Sequence, residues 1–306
     1  MGNMNDFAYR KFTKEVADGI MDYLPEEFIG AKVDIRTVEK NNNKKYAALT
    51  VRHKDRNIAP VVYLDPYYER YEAGSDMGVV LSDIANVITR HDPAESFDMA
   101  QIMDFDRVKD RIIPRLVGQK WNKDMLAATP NTPVADLAVT YHVVLDGFTE
   151  GYASVPVSYE MLGVWGKDVS EIHALSIQNM HMHAPSTYQP LGDVLGSCVP
   201  DGMDAEMPDV SDVGNLMYVL TNESKLHGAT AVLDPNMAET VATSFGGHFY
   251  LLPSSVHEWL VVPADGADTA ELAAMVREVN DTQVADEDVL SDHAYRFTVE
   301  EGLVAA

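Results

Sequence analysis

Two histidines near the middle of the chain, His181 and His183, have the residue type and spacing that could bind a metal ion. Side chains two positions apart on an extended segment point to the same side, and imidazole is a good ligand for zinc, copper or nickel. A zinc site needs one or two further ligands. Candidates for these are His173, Asp193, Cys198, Asp201 and His227. The pair therefore predicts a metal site, with the alternative that both histidines lie at an exposed, polar end of a helix.

The other reactive side chains do not form a catalytic pattern. The single cysteine, Cys198, has acidic rather than basic neighbours, which disfavours a reactive thiolate. Ser254, His257 and Glu258 fall on a predicted hairpin, where neighbouring side chains point to opposite faces and cannot form a hydrolase triad. The chain has no glycine-rich turn of the kind that cradles nucleotide phosphates. We therefore expect no cofactor and do not expect an enzyme.

A group of tyrosines in the first third of the chain is a candidate interaction site. Its members are Tyr63, Tyr67, Tyr68 and Tyr71. Tyrosine side chains bury a large area at a low entropic cost and are enriched at protein interfaces. The alternative is that this group packs onto its own sheet.

The charge is strongly negative and unevenly distributed. Residues 201–306 hold 20 acidic residues against Lys225, Arg277 and Arg296, which accounts for −17 of the net charge of −25. Such a surface repels nucleic acids and anionic membranes, so we expect neither as a direct partner. With one cysteine and no apolar stretch near the ~20 residues that cross a bilayer, the sequence indicates a cytoplasmic protein.

The elements that position these residues suggest an α+β fold in two units, each a mostly antiparallel sheet with helices packed on it. Residues 1–105 show a helix, three strands and a helix, and residues 106–306 form an acidic α+β unit. In this second unit, Asp168 and Glu171 form a capping-box pattern that begins a helix ending near His181. The stretch 129–133, which holds two prolines, predicts a loop, and the segment 184–215, rich in proline, glycine and aspartate, predicts a longer irregular loop.

Further along the second unit, strands are predicted at residues 216–220 and 228–233. Asp234 and Pro235 then begin a helix that the pair Gly246-Gly247 ends. A strand, a turn and a strand follow within residues 248–262.

This run, from Leu216 to Val262, carries a resemblance to a known family. Together with Tyr63, Leu64, Pro66, Tyr67 and Tyr68, it resembles a bacterial family known only as a domain of unknown function and common among intestinal Gram-positive anaerobes. The second half is also similar to a broader family of uncharacterised Gram-positive cytoplasmic proteins. The shared features are the strand opening at Asp136-Leu137 and the helix near Ser170 to Asn179. The resemblance implies a bacterial, cytoplasmic origin and assigns no catalytic residue.

We therefore predict a non-enzymatic cytoplasmic protein that binds another protein. The acidic second unit, the tyrosines of the first unit and the lack of a converging catalytic set motivate this prediction. Two alternatives remain open. One is a metal-dependent hydrolase that uses His181 and His183, and the other is an acidic nucleic-acid mimic that inhibits a DNA-binding protein.

Overall fold

Antiparallel sheets with helices packed on them make up the fold, which confirms the predicted α+β class. The computed structural model describes residues 7–92, 98, 100–145, 153–197, 217–264 and 266–306. The chain divides into two compact units, Met1–Met99 and Ala100–Ala306. No helix among these described residues is long and apolar enough to span a bilayer.

The first unit is a three-stranded sheet covered on one face by helices. Its elements are α1 (Phe7–Gly19), β1 (Lys32–Glu39), β2 (Lys45–Arg52), β3 (Val62–Tyr63), α2 (Asp65–Glu72) and α3 (Met77–Arg90), with 3-10 turns at Ile20–Tyr23, Glu26–Phe28 and Asn41–Asn43. The strand order is β1-β2-β3, so β1 is an edge strand.

Alternation along the two long strands decides which face of this sheet is buried. Leu49 and Val51 on β2 belong to a core that also includes Phe12 and Val16 of α1 and Ile84 of α3. These residues are apolar at a period of two on the strand and near 3.6 on the helices, so each element presents one apolar stripe to the others. Lys32, Asp34 and Arg36 of β1 lie on the second face as a consequence.

The second unit contains two antiparallel sheets. Its elements are α4 (Ala100–Met103), α5 (Phe105–Val108), β4 (Ile112–Gly118), α6 (Lys123–Ala128), β5 (Asn131–Val134), β6 (Leu137–Val144), β7 (Ser154–Pro156), α7 (Tyr159–Trp165), α8 (Val169–His183), β8 (Ser186–Pro190), α9 (Leu191–Ser197), β9 (Tyr218–Asn222), α10 (Pro235–Ser244), β10 (His248–Ser255), β11 (Glu258–Pro263), α11 (Thr269–Gln283), β12 (Tyr295–Thr298) and β13 (Gly302–Ala305), with 3-10 turns at Lys109–Arg111 and Gly228–Leu233.

The two sheets differ in size and in their covering helices. β4, β5, β6 and β7 form a four-stranded sheet in which β6 pairs with each of the other three strands. The larger sheet has the order β13-β12-β10-β11-β9-β8. Helix α8 packs on the four-stranded sheet, where the Asn179 side chain donates hydrogen bonds to the carbonyls of Lys109 and Ile112.

Several local predictions are confirmed at the ends of helices. Asp168 and Glu171 form the capping box of α8, and the Asp234 carboxylate accepts hydrogen bonds from the first turn of α10, which has Pro235 at its start. Gly246 and Gly247 have φ angles of 73° and 106°, the left-handed backbone that follows the helix.

Three predictions about elements are wrong, each because pairing partners override a local pattern. Residues 228–233 form a buried 3-10 turn rather than a strand, since β8 and β11 already occupy both sides of β9. The proline-containing stretch Asn131–Val134 is a strand on the edge of its sheet, where proline is tolerated. The predicted loop 184–215 contains β8 and α9, and its part from residue 198 onward lies outside the described residues.

Candidate functional site

The two histidines predicted to bind metal lie on the last turn of α8 and contact different groups. The Nδ1 atom of His181 lies 3.8 Å from an Asp234 carboxylate oxygen. The Nε2 atom of His183 lies 2.6 Å from the carbonyl oxygen of Asp110. The helix continues through His183, and residues two apart on a helix point in very different directions. The structure therefore does not bring the two rings together.

The further ligand candidates are not brought to this pair either. His173 lies more than two turns before the pair on α8, and its Nδ1 atom is 3.2 Å from the Tyr141 hydroxyl. Burial lowers the pKa of His173, so its ring is neutral near pH 7. Cys198 and Asp201 lie outside the described residues. Within the part of the chain that the structure describes, no three His, Cys, Asp or Glu side chains form a group that could hold a metal ion.

The serine and histidine of the β10–β11 hairpin do not contact each other as a nucleophile and a base. The Ser254 hydroxyl donates a hydrogen bond of 3.2 Å to Glu258. The Nδ1 atom of His257 accepts a hydrogen bond of 3.0 Å from the backbone N–H of His227, and its Nε2 atom faces Asp288 at 3.4 Å. Both ring nitrogens of His257 thus face groups other than a serine.

Three of the four predicted interaction tyrosines lie on α2 and pack toward the core of the first unit. Tyr68 is buried, with its ring 4.8 Å from that of Tyr9 and 5.2 Å from that of Phe12. Tyr71 is half-buried, with its ring tilted against that of Phe12 at 5.3 Å, and Tyr67 is also partly buried against the core. These contacts anchor α2 to α1.

Tyr63 differs from the other three tyrosines because it lies on the second face of the sheet. It pairs with Ala48 on β2, which in turn pairs with Arg36 on β1. The ring of Tyr63 contacts that of Tyr46 at 5.8 Å, and the ammonium group of Lys40 lies 4.2 Å above it. The Lys40 ammonium group therefore forms a cation–π contact with the Tyr63 ring on this face. Such a contact contributes about 0.5–1 kcal/mol at exposed sites.

A cleft opens on the same face of the sheet. Its volume is about 320 Å³, and its lining is Lys32, Asp34, Arg36, Thr50, Arg52, Asn57, Ile58 and Ala59. The strand register explains this set, since Lys32 pairs with Arg52 and Asp34 pairs with Thr50. Directly opposed residues of an antiparallel pair point to the same side, so β1 and β2 bring these side chains together.

The cleft is electropositive, although the chain as a whole is acidic. Lys32, Arg36 and Arg52 are exposed, and no ion pair joins them to another residue in the described ranges. Asp34 is the one carboxylate in the lining. β1 is also an edge strand, so one side of its backbone has no strand partner among the described residues. The cleft thus offers three cations beside backbone groups that can pair with an extended chain.

The reasoning from sequence missed these basic residues, although a signal was present. Charged residues occupy every second position from Lys32 to Arg36, which is typical of a strand with one exposed face. Between Lys32 and Arg56 the bases outnumber the acids, which reverses the sign of the chain average. The strong acidity of residues 201–306 dominates the net charge of the chain and hides this local excess of bases.

Comparisons with known proteins match a family and no individual relative. The family model described as "Family of unknown function (DUF5688)" matches residues 9–298, a range that includes parts of both compact units. No curated protein and no solved structure matches the chain. The match confirms the resemblance to a family of unknown function and brings no activity or residue role with it.

Proposed function

This chain belongs to the family of unknown function DUF5688, and we propose that it is a non-enzymatic protein that binds an acidic, extended segment of another protein. The observation that supports this proposal is the cleft on the second face of the first unit's sheet, where Lys32, Arg36 and Arg52 converge without a carboxylate partner for each. The binding segment would lie along β1.

The charges of the cleft favour a peptide over a nucleic acid. A phosphate backbone presents a continuous row of negative charges, which Asp34 in the middle of the cleft repels. An extended acidic peptide presents separate carboxylates, which can pair with the arginines. Between these carboxylates it presents neutral N–H groups, which Asp34 does not repel. Arginine also binds carboxylates through two parallel hydrogen bonds, which fixes the orientation of an acidic side chain.

Edge-strand pairing supplies the free energy that the ion pairs cannot. Exposed ion pairs contribute only about 0.2–1 kcal/mol each, so three of them give weak binding. A segment that adds to the outer side of β1 gains backbone hydrogen bonds as well, in the manner of β-strand addition. Tyr63, further along the same face and partly exposed, provides an aromatic side chain of the kind that often contributes most at an interface, and its ring packs on the buried Tyr46.

The cleft is suited to binding rather than to a chemical step. The described residues that line it include one hydroxyl group, on Thr50, and no histidine that could activate it, so the cleft presents mainly charge and hydrogen-bonding groups.

Direct binding measurements test the proposal. The probes are a fluorescent peptide in which glutamate alternates with valine, the same peptide with glutamine for glutamate, and single-stranded DNA of similar length. We expect the acidic peptide to bind with an affinity that falls as salt rises, because screening weakens ion pairs. The double variant Arg36→Glu/Arg52→Glu should bind this peptide at least about tenfold more weakly, a loss near 1.4 kcal/mol.

The matched control changes the same total charge elsewhere in the first unit. Lys11→Glu/Lys14→Glu places two reversals on exposed positions of α1, away from the cleft lining. It should leave peptide binding within about twofold of the original chain, a difference below 0.5 kcal/mol. Equal losses in both variants would show that only net charge matters and would refute the proposed cleft. DNA binding that requires Arg36 and Arg52, without peptide binding, would replace the peptide by a nucleic acid.

A further inference from the structure

A partly buried arginine in the second unit reaches across three strands and forms no ion pair with a carboxylate among the described residues. Arg115 on β4 pairs with Thr140 on β6, and its Nη2 atom donates a hydrogen bond of 2.7 Å to the Ser154 hydroxyl on β7. Neighbouring strands lie about 4.8 Å apart, so the side chain has to cross β6 to make this contact. Burial lowers the pKa of Arg115 to about 10, which reflects the cost of removing the guanidinium from water.

His142 lies beside the path of this side chain. On β6, Thr140 is opposite Arg115 and Val144 is opposite Ser154, and His142 is midway between them on the same face. Its Nε2 atom lies 3.4 Å from the Thr140 hydroxyl. Burial, Arg115 and then His227 lower the pKa of His142, so the ring is neutral in the folded protein. The register thus places an imidazole next to a guanidinium.

Each of these two side chains has one buried nitrogen without a hydrogen-bond partner. These atoms are Nε of Arg115 and Nδ1 of His142. Within the described ranges, no carboxylate forms an ion pair with Arg115. Buried polar atoms are nearly always hydrogen-bonded, and a buried cation without a counter-ion costs several kcal/mol, roughly. Two such atoms side by side on one sheet face indicate that an acceptor is missing from this place.

We propose that Arg115, His142, Thr140 and Ser154 form a binding site for a small oxyanion on the face of the four-stranded sheet opposite to α8. A phosphate or a carboxylate group supplies the acceptor that Arg115 Nε lacks and the negative charge that offsets the guanidinium. The Ser154 hydroxyl accepts from Arg115, so its own proton can be donated to a further oxygen of the anion. The Thr140 hydroxyl donates to the Arg115 carbonyl at 3.4 Å, a long bond that it would exchange for one to a second anion oxygen. Arg115 and His142 retain partial exposure, which gives a small ion access to the site.

The shared chemistry of the ligand is a compact group with two or three oxygen atoms and a negative charge. Inorganic phosphate and a carboxylate such as acetate represent its two sources. Phosphate has an additional oxygen that can reach a second hydroxyl, so we expect it to bind more tightly than acetate. This site is separate from the cleft of the first unit, and neither proposal depends on the other.

The test follows the imidazole signals of the full chain by nuclear magnetic resonance, with chloride as the reference anion at matched ionic strength. The signal of His142 is assigned as the one that His142→Gln lacks. Phosphate or acetate should shift this signal and raise the pKa of His142, because a bound anion stabilises the imidazolium form. Arg115→Gln should weaken this effect by about ten- to hundredfold, the range for losing a charged hydrogen bond.

Two further variants separate the proposed site from general effects. Arg296→Gln removes an exposed arginine of the same unit, paired with Glu301, and should leave the response of His142 unchanged. Ser154→Ala keeps Arg115 and His142 and removes one hydroxyl, so it tests the site even if Arg115→Gln does not fold, and it should weaken phosphate binding severalfold. A His142 signal that responds to neither anion, or that responds equally in Arg115→Gln, would overturn the proposal.

Discussion

At the scale of single residues, polar groups without a partner among the described residues mark two places in this protein. In the first unit these are the exposed cations Lys32, Arg36 and Arg52, which form no ion pair, and in the second unit they are the Nε atom of Arg115 and the Nδ1 atom of His142. Exposed cations cost little free energy when they are unpaired, whereas buried ones cost several kcal/mol, roughly. The first set therefore suits a partner that comes and goes, and the second suits a ligand whose binding also stabilises the fold.

The lowered pKa of His142 predicts how stability depends on pH. Below a pH of about 6.5 the unfolded chain binds a proton on this histidine, and the folded chain does not, so unfolding becomes more favourable as the pH falls. His142→Gln should reduce this acid sensitivity by up to about 1 kcal/mol per pH unit. Urea unfolding at pH 7 and pH 5, in chloride buffers, measures the difference. The prediction would be contradicted if the free energy of unfolding fell by the same amount between pH 7 and pH 5 in the variant and in the original chain.

The buried hydrogen bond between Tyr9 and Asp65 predicts a cost for removing one hydroxyl. The Tyr9 hydroxyl donates to the Asp65 carboxylate at 2.8 Å, and burial together with this carboxylate raises the pKa of Tyr9. Tyr9→Phe leaves a buried carboxylate without this donor and should lower the free energy of unfolding by about 1–3 kcal/mol.

Tyr71→Phe is the matched control for this change. Tyr71 is half-buried on α2 and packs against Phe12 through its ring, and no side-chain hydrogen bond of its hydroxyl is seen among the described residues. Tyr71→Phe should lower the free energy of unfolding by less than about 0.5 kcal/mol, as for most substitutions away from buried polar groups. Equal losses in thermal or urea unfolding would show that the Tyr9–Asp65 bond has no special weight.

At the scale of elements, helix ends and close backbone approaches explain how the second unit is held together. The capping box of α8 fixes the start of the helix that covers the four-stranded sheet. The 3-10 turn Gly228–Leu233 packs against β9 and β4 and lies close to the β10–β11 hairpin. Both features depend on a single residue type at one position, so each can be tested by one substitution.

Removing the cap of α8 should cost about as much as other N-cap losses. The Asp168 carboxylate accepts a hydrogen bond of 2.9 Å from the backbone N–H of Glu171. Asp168→Ala should lower the free energy of unfolding by about 1 kcal/mol, whereas Asp168→Asn, which also caps well, should change it by much less. Chemical denaturation of both variants measures this contrast. Similar losses in the two variants would mean that the charge, and not the cap, stabilises the helix.

A side chain at Gly228 should disrupt the packing of the 3-10 turn. A Cβ atom at this position would lie 2.5 Å from the carbonyl oxygen of His257 and 2.8 Å from the backbone nitrogen of Asn222. Gly228→Ala should therefore destabilise the chain by about 1–3 kcal/mol or more, since the backbone has to move.

Gly163 offers the opposite expectation within the same unit. It lies in α7, and a Cβ atom there would meet nothing within 4 Å. Gly163→Ala should stabilise the chain by about 0.5–1 kcal/mol, because alanine favours the helix. The two variants, compared by their melting temperatures, should shift in opposite directions. A shared direction would refute the close approach at Gly228.

At the scale of the whole molecule, the most prominent feature is the uneven distribution of charge along the chain. The net charge of −25 is carried mainly by the later residues, while the β1–β2 region of the first unit has an excess of bases. Long-range repulsion between like charges destabilises a compact state, and a local excess of the opposite sign attracts an acidic segment only at short range. Binding at the proposed cleft should therefore depend on direct contact rather than on long-range steering.

Salt should stabilise the chain as a consequence of its net charge. Screening of exposed charges sets in over about 10 Å at 0.1 M salt, which weakens repulsion among the acidic residues. We expect the melting temperature to rise as sodium chloride is raised from low to physiological concentration. A melting temperature that falls with salt would indicate that exposed ion pairs, such as Lys120–Asp292, outweigh the repulsion.

The amino-acid sequence by itself determined the α+β class, the helices with their caps and most strands of this protein. These features depend on groups only a few residues apart, such as Asp168 with Glu171 or the glycines that follow α10. Where pairing partners decided the outcome, as in the 3-10 turn at Gly228–Leu233, local patterns predicted the wrong element.

Only the tertiary structure decided which side chains meet. The register of β1 and β2 places Lys32 opposite Arg52. Arg115 donates a hydrogen bond to Ser154, which lies 39 positions further along the chain. His181 and His183 are two positions apart in sequence, but they lie on a helix that directs them to different groups. The physical reason is that backbone propensity acts over a few residues, whereas binding sites depend on strand pairing and burial, which connect residues far apart in the chain.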